Sequence, residues 1–191
     1  RAIYEYAWGD KERGLLALGH VLHLLEDATV PDHTRNDSHP PILDFGSPYE
    51  FWAKKFAASN TQIADSLPGK PIGLGNLEEY FDAVAAYSNR KFFSEDTISS
   101  PNYPSPIANK RRVEILSDGK SYEFAYLDDE TGNYRLSLIG LRELGRAKIA
   151  PTVKDPYALV LQDYWDHLSK QAVLHGAGVV KLFFDEVEKE K

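Results

Sequence analysis

"GHVLHLLEDATVPDHTRNDSH", residues 19–39, holds four of the chain's six histidines: His20, His23, His33 and His39, beside Glu26, Asp27, Asp32 and Asp37. Its first half continues a helical pattern. Leu15, Leu18, Leu22 and Leu25 recur every three or four residues and mark one stripe of an α-helix. Asp10 can cap that helix, Glu12 falls in the first turn where the dipole favours an acid, and Pro31 ends it. A helix over 10–27 follows. At about 100° per residue, His20, His23 and Asp27 share a stripe of it. His23 and Asp27, four apart, stand one above the other. Such a pair can hold one metal ion, or the Asp can bridge two. A turn at Pro31 brings His33 back toward the same stripe, which a continued helix would not do. A single helical histidine is ordinarily a packed or solvated residue, and an isolated His–Asp pair a surface hydrogen bond. The clustering of His23, Asp27, His33 and His39 with Asp37 sets a metal site beside those readings as an equal expectation.

Outward from this segment the chain reads as mainly α. Residues 34–48 are loop, with Pro40, Pro41, Gly46 and Pro48, followed by a short helix from about Pro48 to Ala58. Asn76 can cap a third helix, "LEEYFDAVAAYSNRKFF", residues 77–93. An irregular stretch rich in proline comes next. "RRVEIL", "SYEFAYL" and "NYRLSL" then read as short strands, with Asp118-Gly119 and Thr131-Gly132 at the turns. They predict a small β-hairpin or three-stranded insertion over about 111–138. Asp155, as cap, and Pro156, at the first position, open a long helix to about Glu188. Gly176, Ala177 and Gly178 inside it allow another backbone to come close.

The 191 residues suit one domain, 1–191. A net charge of -7 argues against a broad nucleic-acid surface, so no stable nucleic-acid complex is expected. With no cysteine, a metal must sit on His, Asp, Glu or backbone oxygen. No apolar run is long enough to span a membrane. The chain begins at Arg1 and has no methionine, so it reads as a processed or trimmed piece.

Leu18-Gly19, Leu22-His23, Asp27, Pro31 and His33 together resemble the zinc-dependent phospholipase C and S1/P1 nuclease superfamily. The lead-in "YAWGDKERGLLAL" and the segments "FFSEDTI" and "AVLHGAGVVKLFF" resemble its bacterial branch. The resemblance implies a mostly helical fold with one to three zinc ions in a cleft, a phosphate-ester substrate (phospholipid or nucleotide), and water activated for in-line attack. It also implies export, secreted or periplasmic, and a transient contact with a membrane surface. By position, His23 would ligate one ion, Asp27 would bridge it to another and act catalytically, and His33 would ligate a third. Glu50 fits the family's acidic ligand. The family histidine four residues earlier is Gly46 here, so His39 or Asp37 would have to supply that ligand. Family enzymes also use their N-terminal residue, two histidines and an aspartate from a portion of chain that does not precede Arg1 here. These gaps motivate a rival expectation: a non-catalytic member acting as a metal-binding or surface module. Arg35 could grip a phosphate, although an ion pair with Asp32 or Asp37 is the simpler expectation. His20, His167 and His175 read as packing or surface residues.

Overall fold

The computed structural model describes residues 1–37, 46–54, 62–98, 100–102, 106–142 and 150–191. The chain runs α1 (Ala2–Trp8), α2 (Lys11–Asp27), α3 (Pro31–Thr34), α4 (Pro48–Ala53), α5 (Gln62–Asp65), α6 (Leu77–Lys91), a 3-10 turn (Glu95–Thr97), β1 (Lys110–Ile115), β2 (Ser121–Asp129), β3 (Gly132–Arg142) and α7 (Leu159–Glu190).

The local signals place α2 and α6 as expected. Asp10 accepts from the amides of Glu12 and Arg13 at 2.9 and 3.4 Å, and Asn76 accepts from Glu79 N at 3.0 Å. α6 stops at Lys91 because Phe92 and Phe93 turn extended into the interior, where Phe93 N donates to the Tyr164 hydroxyl at 3.1 Å. α7 starts at Leu159, three residues after Pro156. The Asp155 carboxylate caps both a preceding turn, at Tyr157 N (3.0 Å), and the helix itself, at Val160 N (2.8 Å). On α2, Leu18 and Leu25 are buried, but Leu15 faces out.

A mainly α domain with a small β insertion is not what forms. The described residues are mixed α and β, 53% helix and 17% strand, with a three-stranded antiparallel sheet in the order β1-β2-β3. The strands run over 110–142, longer than the expected excursion, and they are structural rather than appended. Tyr122, Phe124, Tyr126, Leu127, Tyr134, Leu136 and Leu138 from β2 and β3 join Phe92, Val160, Tyr164 and Leu168 in one core. A helix of α7's length needs an apolar partner along its first half, and the sheet is that partner. Arg135 on β3 fixes the docking. Its guanidinium bonds Asp163 of α7 at 3.0 Å and Glu114 of β1 at 2.7 Å. β1 is one of the two edge strands, and Lys110, Arg111 and Arg112 at its start are exposed.

A second core joins α2, α6 and the later half of α7 through Leu18, Leu25, Tyr80, Val84, Val179, Phe183 and Val187. α1, which has no distinct sequence signal, closes its edge. Tyr6 packs edge-on to Phe183 and Phe184, with ring centroids 5.4 and 5.5 Å away. The close approach foreseen at Gly178 is with the loop before α6. Ile72 N donates to Leu174 O at 3.2 Å, and a Cβ on Gly178 would lie 2.0 Å from Ile72 O. No helix among the described residues is long and apolar enough to cross a membrane.

Burial lowers the pKa of His167, packed on Tyr134 at 4.2 Å, and of His175, packed on Tyr80 at 6.2 Å. Both are therefore packing residues. Folding disfavours their charged forms, so the unfolded chain binds more protons below about pH 6.5 and stability falls with pH there. Burial raises the Glu114 and Asp129 carboxyls, but hydrogen bonds from Arg135 and Lys91 outweigh it and hold both below their ordinary range. They extend the loss at lower pH. Asp163, raised by burial, opposes it in part. Thermal melts should show the melting temperature dropping from pH 7 to 5.5, and the double variant His167→Asn, His175→Asn should flatten that slope. An unchanged slope would reject the assignment.

Candidate metal centre

The site is built from three consecutive elements. α2 ends at Asp27, and Thr29 and Val30 turn the chain so that Pro31 can start α3 at its first helical position. This is the reversal that brings His33 back. The His33 Nδ1 lies 3.9 Å from Asp27 Oδ1, while His23 Nε2 lies 3.6 Å from Asp27 Oδ2. On the other side His33 Nε2 lies 3.7 Å from Glu50 Oε1 on α4. Imidazole and carboxylate thus alternate as His23, Asp27, His33, Glu50. Exposure falls along the series: 72% for the His23 side chain, 35% for Asp27, and 31% for His33 and for Glu50. The outermost donor is the most exposed, and the inner three are half-buried.

What holds the inner three is a set of buried polar contacts that the spacing of His and Asp does not reveal. Ser47 caps α4, accepting from Glu50 N at 3.2 Å, and donates to the buried Asp32 carboxylate at 2.8 Å. One hydroxyl therefore ties the Glu50 helix to the His33 helix. A signal for it exists: Ser47 and Glu50 have the Ser-x-x-Glu spacing of a capping box. α3 is also anchored to α6. Ser88 Oγ donates to Thr29 O at 3.0 Å, and Asn89 Nδ2 donates to Thr34 O at 2.7 Å. Arg35 is wholly buried, donating to Asn89 O at 2.7 Å and Thr97 Oγ1 at 2.6 Å. It braces the site from inside and does not reach a substrate.

The remaining candidates lie apart. His20 is exposed on α2 and makes no ion pair among the described residues. Asp37 accepts from Asp96 N at 3.2 Å, facing the 3-10 turn. His39 lies outside the described residues. Gly46 has φ +79°, a left-handed backbone in which a side chain is strained, so the conformation itself favours glycine over histidine.

The donor set suits zinc: two imidazole nitrogens and two carboxylates, with no thiolate. Two tetrahedral zinc ligands stand about 3.3 Å apart. The separations of 3.6 to 3.9 Å are therefore a few tenths too wide. Among the described residues no three such groups converge on one point as they stand. His33 turns Nδ1 to Asp27 and Nε2 to Glu50, so its ring would serve an ion on one of these two sides.

Asp27 and His33 stand on one wall of a cleft of about 760 Å³, beside Leu24, Ala28 and Thr34. The other wall is α6, presenting Asp82, Ala85, Ala86, Asn89 and Arg90. Comparison with family models, with curated proteins and with solved structures returned no match.

Proposed function

We propose that the protein is a metal-dependent hydrolase of phosphate esters, with zinc held by Asp27, His33 and Glu50 and by His23 at the rim. The observation that carries this reading is the unbroken His23–Asp27–His33–Glu50 series, with separations of 3.6, 3.9 and 3.7 Å, whose two middle members line a cleft. Four ionisable groups on three elements contribute nothing to packing that apolar residues would not do better, since partly desolvated ionisable groups carry a cost. A bound zinc ion supplies a water that is deprotonated near neutral pH and positive charge for the phosphoryl oxygens. The chain's own part is geometric. Asp27 offers one oxygen toward His23 and the other toward His33, so it can serve two neighbouring positions. The Ser47–Asp32 bond holds the Glu50 helix against the His33 helix, and the open cleft beside Asp27 admits the ester. The reading accords with the resemblance to zinc-dependent phospholipases C and P1 nucleases.

Gly46 favours a second reading, a non-catalytic module with one ion, because it offers no side-chain donor where the family pattern has histidine. Zinc content and phosphodiester hydrolysis, measured on the same preparation, separate the two. Two or more zinc ions per chain with turnover support the hydrolase. One ion without turnover supports the module. No zinc uptake removes both.

A further inference from the structure

The wall of the cleft facing Asp27 has its own chemistry. Asp82, Ala85, Ala86, Asn89 and Arg90 are spaced by three, four, seven and eight residues from the first, so they form one face of α6. The two alanines keep the middle of the cleft open. Asn89 is committed to the scaffold through Thr34 O and Arg35. Arg90 is exposed and has no ion pair or hydrogen bond among the described residues. Its end of the cleft is defined by its neighbour: the Asn89–Thr34 bond sets the last turn of α6 against α3, next to His33. Asp82, eight residues earlier, is about 12 Å away along the helix. The cation therefore lies toward the α3 end of the cleft that His33 also lines, and the acid toward the other end.

We infer that Arg90 is a substrate-binding residue, contacting a non-bridging oxygen of the phosphate group bound in the cleft. The inference rests on the hydrolase reading and names a contact beyond the metal. A phosphate entering beside Asp27 meets negative charge that zinc would offset on one side only. A guanidinium on the facing wall offsets it on the other, with planar paired donors that fit two phosphate oxygens. The last turn of a helix favours a cation on its own account, so the test must read phosphate and not stability alone.

Zinc content is measured first on the full chain, and inorganic phosphate is then titrated calorimetrically into the zinc-loaded protein, with Arg90→Ala and Arg90→Lys alongside. Zinc content should be equal in all three. Phosphate affinity should fall about tenfold or more in Arg90→Ala, and less in Arg90→Lys, which keeps charge but loses the fork. A dinucleotide and a short-chain phosphoglyceride in the same titration identify the source of the phosphate, and Arg90→Ala should weaken whichever binds. Equal phosphate affinity in Arg90→Ala and wild type, or no phosphate binding by zinc-loaded wild type, would overturn the role of Arg90. Failure of the wild type to take up zinc is a separate result: it removes the hydrolase reading, and this inference with it.

Discussion

Gly178→Ala is expected to cost about 3 kcal/mol or more, enough to unfold a protein of ordinary stability at physiological temperature. The new methyl would sit 2.0 Å from Ile72 O and 2.6 Å from the Tyr80 ring and hydroxyl. Neither neighbour can give way cheaply. Ile72 is bonded to α7 through its amide, and the Tyr80 hydroxyl donates to Ile72 O at 2.9 Å while accepting from Leu74 N at 3.0 Å. Relief would require the loop to leave α7 and Tyr80 to leave the core together. Gly176→Ala, two residues away, should act in the opposite direction. Its Cβ would meet only Leu22 Cδ2, at an ordinary 3.8 Å. Replacing a mid-helix glycine there should add roughly 0.5–1 kcal/mol through backbone entropy. Denaturant melts of both variants check the pair. If Gly178→Ala melts like wild type, the loop does not dock against α7 as described.

The second large effect concerns Asp27. Asp27→Ala should abolish zinc uptake at the shared position and lower phosphodiester turnover on the order of 10²–10³-fold or more, because the lost group faces both imidazoles. Its melting temperature without zinc should stay close to that of wild type, since the side chain is 35% exposed and anchors no core element. His20→Ala, on the same helix but outside the series, should leave zinc content and turnover unchanged. Turnover and zinc content that survive in Asp27→Ala would end the hydrolase reading, whatever the fold does.

Which parts could be read from the residues follows from where the information lies. Caps are local chemistry, so Asp10, Asn76 and Asp155 were legible, and with them α2, α6 and the approximate start of α7. The His23–Asp27 stripe and the return of His33 at Pro31 were legible because helix geometry and one proline determine them. The role of the sheet was not. Strand patterns give β1, β2 and β3 but not what lies against them, so an integral half of the core read as an insertion. Leu15 carries the same periodicity as Leu18 yet faces out, because only the placement of α1 and α7 decides which part of the stripe is covered. The far wall of the cleft was hidden for the same reason. Asp82, Asn89 and Arg90 are ordinary residues for the polar side of a helix, and only the Thr34 and Ser88 contacts turn that side toward His33. The residue at 46 was read for its missing donor, while its left-handed backbone is visible only in three dimensions.

The outer position of β1 has a consequence for how these molecules behave in concentrated solution. A strand with an unpaired side is a template on which a second molecule's strand can zip. Val113 and Ile115, exposed by 46% and 75%, would make that contact adhesive. Lys110 is neutralised by Asp128 at 2.9 Å, but Arg111 and Arg112 precede the apolar pair on the same exposed strand and place like charge on any two such edges that approach each other. Protection of this kind is electrostatic and short-ranged, with a reach of about 10 Å at 0.1 M salt and about 3 Å at 1 M. The protein should therefore tolerate crowding at low ionic strength and clump as salt rises, and neutralising the two arginines should bring that clumping down to ordinary buffers.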